Sequence, residues 1–321
     1  MLKTVKIRNF KSIKELEFSA KRVNVFIGEP NSGKSNLLEA LGVFCGGIYE
    51  NQDDFREVLR FKTAADLFFD RELTEQVRVV TDGLEWVLKF DSSQMQGTFL
   101  ASNRDGITFT LGHGGQLGIT RFPESPVRYY RFKTLAHFGN PRPGPLQAPF
   151  GSNLVALLTT NKRLASMVDD LFLSKGFHMV IDHERSELSL AKVVDRRFFN
   201  YSYPTISETL RRIVFFMAAL ESNKDATLLL DEPEANTFPF YTKYLAERIA
   251  LDETNQFFIT THNPYLLSSV VEKTPLKDLT VFVTRMEKFE TKVKQIPDKK
   301  LSELLELDSD AFFNLDKLVE E

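Results

Sequence analysis

Val5 and Ile7 alternate with Lys6 and Arg8, and Leu16 and Phe18 alternate with Glu15 and Glu17. This period of two predicts a pair of half-buried strands joined near Phe10-Lys11-Ser12. Val23, Val25, Phe26 and Ile27 then form a short apolar strand, and Leu37, Leu38, Leu41 and Phe44 share one face of a following helix. Up to about Glu75 the pattern is mixed, with Phe55, Phe61, Phe68 and Phe69 pointing to helical packing. Alternation resumes at Val77 and Val79, turns at Asp82-Gly83 and continues through Leu84, Trp86, Leu88 and Phe90, a hairpin signature. A second hairpin is expected around Asn103-Arg104-Asp105-Gly106, between Phe99 and the run Ile107, Phe109, Leu111, and a third β stretch over 127–132.

Residues 138–151 carry four prolines and three glycines, which marks a loop or seam. Beyond it, Leu154, Leu157, Leu158, Leu164, Met167, Val168 and Leu171 recur at helical spacing. A strand pair over 178–182 and 187–193 leads to a helix bearing Leu210, Ile213, Val214, Met217 and Leu220. The strand 227–230, a helix with Tyr241, Tyr244, Leu245 and Ile249, and the strand 256–260 follow. A short helix near 265–271, strands over 279–284 and 291–295, and a helical, acidic end over 301–321 complete the pattern. The chain has no internal repeat, and no sustained heptads separate residue 35 from Asp231, so long coiled-coil arms are not expected.

Composition narrows the class only modestly. A hydrophobic content of 42% and a charged content of 26% over 321 residues suit a soluble globular protein with ample core. A net charge of −3 gives no global attraction to nucleic acid, although local basic patches stay open. The single Cys45 cannot form an internal disulfide, which fits a reducing cytoplasm. The first ten residues lack the apolar stretch of a signal peptide, and the longest apolar helical run, 213–220, is far short of a membrane span.

Candidate chemistry changes the picture at three places. Gly28-Glu29-Pro30-Asn31-Ser32-Gly33-Lys34-Ser35 fits G-x-x-x-x-G-K-[ST], between the predicted strand and helix that such a phosphate loop requires. Its backbone N–H groups form an anion nest, Lys34 reaches the β- and γ-phosphates, and the Ser35 hydroxyl holds Mg²⁺. Thr227-Leu228-Leu229-Leu230-Asp231-Glu232 is a buried parallel strand ending in two carboxylates, at the edge where ligands bind in such sheets. Asp231 there meets Mg²⁺ through water, and Glu232 is placed to polarise an attacking water. Phe257-Phe258-Ile259-Thr260-Thr261-His262-Asn263-Pro264 ends a further buried strand in a polar switch. A lone histidine is more often structural, but one strand and one helix after Asp231 His262 is placed to sense a γ-phosphate.

Together these stretches resemble an ABC-type ATPase head of the OLD/RecF/SMC class, and most of all the short, armless OLD-like or AbiEii-like bacterial ATPases. Ile7-Arg8-Asn9-Phe10-Lys11-Ser12-Ile13, residues 28–36, Gly151-Ser152-Asn153-Leu154, residues 229–234 and 260–264 carry the likeness, in family order over most of the chain. The resemblance implies an α/β P-loop NTPase with a mixed central sheet, an antiparallel β subdomain and a helical lobe. It implies one domain over 1–321, with lobes at 1–135, 136–225 and 226–321. ATP and Mg²⁺ are the implied cofactors, held by residues 28–36 (Gly28, Glu29, Pro30, Asn31, Ser32, Gly33, Lys34, Ser35 and Asn36) and by Asp231. Two copies are expected to sandwich ATP, with Ser207 of one facing the nucleotide of the other. A separate effector, a nuclease or toxin, is the implied partner, and anti-phage defence the implied setting. Ile206-Ser207-Glu208-Thr209-Leu210-Arg211 departs from the family signature, since no glycine follows two residues after the serine. Ser207 reads equally as a plain helix cap.

Three other signals are weaker. Arg121, Arg128, Arg131, Lys133 and Arg142, interleaved with Tyr129, Tyr130 and Phe132, could contact nucleic acid, although strand alternation explains the same pattern. Asp182-His183-Glu184 with Glu187 has metal-ligand chemistry, but consecutive residues on a turn cannot all face one ion. Gln52, Gln94 and Gln96 are the candidates for a glutamine coupling Mg²⁺ to the second lobe. A non-catalytic ATP switch and a RecF-like DNA-repair ATPase are the alternative functions.

Overall fold

In the computed structural model, which describes residues 1–91, 94–101, 104–121, 123–307, 312 and 315, the strands gather into three sheets. The chain opens with β1 (Thr4–Phe10), β2 (Ile13–Ser19) and β3 (Val23–Gly28), then α1 (Lys34–Gly42) and α2 (Gln52–Leu59). Six strands follow: β4 (Val77–Thr81), β5 (Leu84–Asp91), β6 (Gln94–Ala101), β7 (Arg104–Leu111), β8 (Leu117–Ile119) and β9 (Val127–Tyr130). After the proline-rich loop come α3 (Leu154–Thr160), α4 (Lys162–Leu173), β10 (His178–Asp182), β11 (Glu187–Val194), β12 (Arg197–Ser202) and α5 (Glu208–Ser222). The last part is β13 (Thr227–Asp231), α6 (Pro239–Leu251), β14 (Gln256–Thr260), α7 (Pro264–Lys273), β15 (Leu279–Glu287), β16 (Glu290–Gln295) and α8 (Leu301–Leu307).

The six-stranded sheet has the order β16-β15-β3-β14-β13-β9, all parallel except the edge strand β16. All of β3 and β14 is buried, which explains why these strands read as continuous apolar runs. Phe26 of β3 stacks on Phe282 of β15 at 4.9 Å and on Phe258 of β14 at 6.4 Å, tying three neighbouring strands through one face. The antiparallel sheet, β2-β1-β4-β5-β6-β7-β8, curls over α1 and places Trp86 in the core, its indole N–H donating to the Tyr49 hydroxyl at 2.9 Å. A third, three-stranded sheet, β10-β11-β12, accompanies α3, α4 and α5 on the helical side.

Several elements differ from the sequence pattern. The helical run from Leu154 breaks at Asn161, whose side chain accepts from the Leu164 amide at 3.0 Å and starts a second helix. Phe90, expected to face inward, is 41% exposed, because burial along β5 ends at Leu88. β8 and β12 were not expected; β12 is an exposed edge strand with no apolar alternation. Tyr129 and Tyr130 are both fully buried in β9, so those rings pack in the core and are closed to base stacking. The paired strands β6 and β7 form the expected second hairpin, although Asn103 of its turn lies outside the described residues. The acidic end is helical over α8; beyond it only Phe312 and Leu315 are among the described residues.

Candidate nucleotide site

The central strand β3 delivers the chain to the Gly28 turn, and α1 begins at Lys34. Gly33 adopts φ 96°, and a Cβ there would lie 1.9 Å from the Thr291 hydroxyl oxygen, so only glycine fits beneath β16. Ser32 Oγ and Thr284 Oγ1 are 2.7 Å apart. Asn36 donates to Ser12 Oγ at 2.7 Å, and that oxygen lies 2.7 Å from Thr291 Oγ1. Hydroxyl groups from β15, β16 and the β1–β2 turn thus brace the loop from below.

Lys34 is 4% exposed and donates to the carbonyls of Gly28 and Glu29, both at 2.8 Å. Burial pulls its pKa down to about 8, against the carboxylates of Glu232 and Asp231. A phosphate in the loop would supply the counter-charge that these carbonyls lack. Ser35 Oγ lies 3.4 Å from Asp231 Oδ1, which also accepts from Thr260 Oγ1 at 2.8 Å, while Asp231 Oδ2 accepts from the Tyr129 hydroxyl at 3.3 Å. A hydroxyl and a carboxylate brought together at the helix start and the strand end are hard oxygen donors of the kind Mg²⁺ takes. The residues present fit that ion.

Glu232 follows in a left-handed conformation, φ 46°, its amide bonded to the Thr260 carbonyl at 3.2 Å and hydroxyl at 3.1 Å. This turn aims its carboxylate at His262, whose Nε2 lies 3.1 Å from Glu232 Oε1. Desolvation and, next, the Lys34 ammonium lower the His262 pKa, so the ring beside the carboxylate is neutral at pH 7. Two residues on, Glu234 is 4% exposed and accepts from the Thr261 hydroxyl, which in turn accepts from the Asn263 amide at 2.9 Å. Burial pushes the Glu234 carboxyl up to about 7.

Residues 30–36, Glu232 and His262 line one pocket of about 330 Å³, joined by Arg60. Asp231 lies at its base through the contact with Ser35. Gly28 and Glu29 form the first turn of the loop with their carbonyls on Lys34, and the Glu29 side chain lines an adjoining cavity. Ser207 is elsewhere: it precedes α5, is exposed, makes no side-chain capping bond and does not line the pocket. Its neighbours are nevertheless tied to the segment after Glu232, since Thr209 donates to the Asn236 carbonyl at 2.7 Å and Glu208 accepts from the Asn236 side chain at 3.1 Å.

Arg60, Tyr129, Thr260, Thr284 and Thr291 were not singled out as site residues by the sequence. Arg60 pairs with Glu39, a fully buried carboxylate shared with Lys11. Lys11 falls within a motif-like stretch, but a lone arginine after α2 carries no such mark. At the other candidate cluster, Asp182 accepts from the Arg185 amide at 2.9 Å and His183 Nδ1 lies 3.2 Å from Thr159 Oγ1. No group of three or more His, Cys, Asp or Glu side chains among the described residues is arranged to hold a metal. No helix among them is long and apolar enough to cross a membrane.

Residues 23–268 match the family described as "AAA domain, putative AbiEii toxin, Type IV TA system". An "ATP/GTP phosphatase" of Helicobacter pylori (strain ATCC 700392 / 26695) is 31% identical over 110 residues, 30% of this chain and 30% of that protein. The crystal structure of an SmcHead bound to the C-winged helix domain of ScpA superposes with a TM-score of 0.54 at 15% identity, covering 93% of this chain and 99% of the other. That likeness is one of fold: a P-loop NTPase fold of the ABC-ATPase head type.

Proposed function

This chain belongs to the AbiEii-type AAA domain family, and from that premise we propose that it is an Mg²⁺-dependent ATPase whose heads close on one another around ATP. The observation that carries this is the approach of His262 Nε2 to within 3.1 Å of Glu232 Oε1 in the phosphate-loop pocket. It supports a reading in which Glu232 meets the water that approaches a terminal phosphate, with a second carboxylate, Asp231, beside the Ser35 hydroxyl. In the proposed mechanism residues 28–36 enclose the phosphates and Lys34 turns from the loop carbonyls to the transferring group. Glu232 takes the proton of the attacking water, and His262 orients Glu232 and contacts the γ-phosphate. Ser35 and Asp231 would hold Mg²⁺, which supplies charge neutralisation at the phosphates.

Closure on a second copy is supported by the exposure of Phe238, Phe240 and Tyr265, at 66%, 69% and 54%, on segments that follow Glu232 and His262. Ser207 would then act across the interface, because its own pocket lies elsewhere. We extend the proposal to a cytoplasmic protein that controls a separate effector or a nucleic acid, with anti-phage defence as the setting suggested by the family. The test is Glu232→Gln: single-turnover hydrolysis is expected to fall by more than about a hundredfold, with ATP retained on the protein. Hydrolysis at the parent rate would overturn the assignment. A non-catalytic ATP switch is the second reading, favoured by the absence of glycine after Ser207; it predicts no turnover in the parent chain even at concentrations that dimerise it.

A further inference from the structure

Glu234 has no part in the mechanism above, although its burial is costly. The side chain is 4% exposed, and Oε2 is buried with no hydrogen-bond partner among the described residues. A carboxyl left half satisfied in the interior costs more than a well-packed apolar side chain, so its presence calls for a reason other than stability. Oε1 accepts from the hydroxyl of Thr261, itself fully buried. A carboxyl oxygen can accept in either protonation state, so this bond persists whether the group is charged or neutral.

The bond joins the two segments that carry Glu232 and His262. On one side, Glu234 belongs to the same turn as Glu232. The Ala235 amide bonds the Glu232 carbonyl at 3.1 Å, and the Thr237 amide and hydroxyl bond the Glu234 carbonyl at 3.0 Å and 2.7 Å. On the other side, Thr261 is anchored to β3 through its amide on the Phe26 carbonyl at 3.1 Å. Asn263 starts α7, its side chain accepting from the Tyr265 amide at 2.8 Å. The strand end and the helix start are therefore held without Glu234. What its side chain adds is the orientation of the Thr261 hydroxyl, which donates to Glu234 and so turns a lone pair to the Asn263 amide at 2.9 Å. The residues on either side of His262 are thus locked to one another and to the turn that carries Glu232. The backbone N–H of His262 itself favours the Glu234 carboxylate.

We propose that Glu234 is a positioning residue for His262: through the Thr261 hydroxyl and the Asn263 amide it fixes the imidazole in its place beside Glu232. The role rests on the ATPase reading of Glu232 and His262 given above. It requires an acceptor at position 234 rather than a charge, and it acts on turnover rather than on the hold on ATP.

The experiment measures single-turnover ATP hydrolysis and ATP affinity for Glu234→Ala, Thr261→Val and Glu234→Gln, each alone and combined with His262→Ala. Glu234→Ala and Thr261→Val should slow hydrolysis by about ten- to a hundredfold. The Kd for ATP should stay within about threefold of the parent's. Glu234→Gln keeps the acceptor and should restore most of the rate. With His262 already replaced, none of the three should slow hydrolysis further, because Glu234 acts through that ring. An additive loss in that background, or Glu234→Ala turning over like the parent, overturns the proposal. A second measurement needs no turnover. The imidazole NMR signal of His262, identified by its loss in His262→Ala, should move in Glu234→Ala and Thr261→Val and lie near the parent's position in Glu234→Gln. If the parent chain does not hydrolyse ATP, or His262→Ala hydrolyses it at the parent rate, the ATPase reading fails and this signal alone decides the placement of the ring. A signal unmoved by both Glu234→Ala and Thr261→Val overturns the proposal in either case. Should Glu234→Ala fail to fold, Thr261→Val, which removes only the hydroxyl's bonds, carries the same comparisons.

Discussion

At the scale of single residues, Glu234 shows how the site stores a pH dependence. Its carboxyl has an ordinary pKa of 4.5 and is held near 7 by burial beside Thr261. Between those values the folded chain keeps a proton that the unfolded chain has released, so stability falls as pH rises through this window and levels off above it. The gap corresponds to roughly 3 kcal/mol. Glu234→Gln keeps the shape and removes the titration. Urea unfolding should find the variant about as stable as the parent near pH 5 and more stable near pH 8; an equal pH dependence in both would assign the proton elsewhere. That Lys34, Ser35, Asp231, Glu232 and His262 sit at strand ends and a helix start was legible in the sequence, because each lies at a fixed offset from an apolar run. The burial of Glu234 was not, since nothing in Asp231-Glu232-Pro233-Glu234 distinguishes a solvated carboxylate from one closed over by Thr261. Arg60 was invisible for a different reason: its place depends on Glu39, a buried partner on the opposite side of a helix and loop.

At the scale of elements, the phosphate loop depends on strands that adjoin it only in space. Gly33 and Thr291 occupy the same volume, since a Cβ on one would overlap the hydroxyl of the other. Gly33→Ala should therefore cost about 1–3 kcal/mol or more from overpacking, with added strain from its φ of 96°. Thr291→Ala removes the obstructing hydroxyl, and the double variant should recover part of the loss. A thermodynamic cycle on denaturant unfolding gives the coupling; strict additivity would show that the two do not compete for space. The parallel strands β3, β13 and β14 were readable as apolar runs, and the first two hairpins as alternation. β12 was not, because an edge strand exposed along its whole length has no face to encode. The split of α3 from α4 turned on one side chain, Asn161, embedded in an apolar repeat that continues past it.

At the scale of the whole molecule, the segment that follows Glu232 carries Phe238 and Phe240, each more than half exposed. If heads close across this face, Phe238→Asp with Phe240→Asp should abolish the ATP-dependent dimer of the Glu232→Gln chain in analytical ultracentrifugation. ATP binding by the isolated copy should change little. A dimer unaffected by both charges would place closure on another surface. The brace beneath the phosphate loop has a consequence for the timing of synthesis. β3 lies between β14 and β15, and Ser12 and Ser32 meet hydroxyls 279 and 252 residues further along. A nascent chain emerging from the ribosome thus displays its phosphate-loop sequence long before the strands that shape it exist. Nucleotide can be gripped only once β14, β15 and β16 have been made, and until then β3 is an unpaired apolar strand that a chaperone would have to shield.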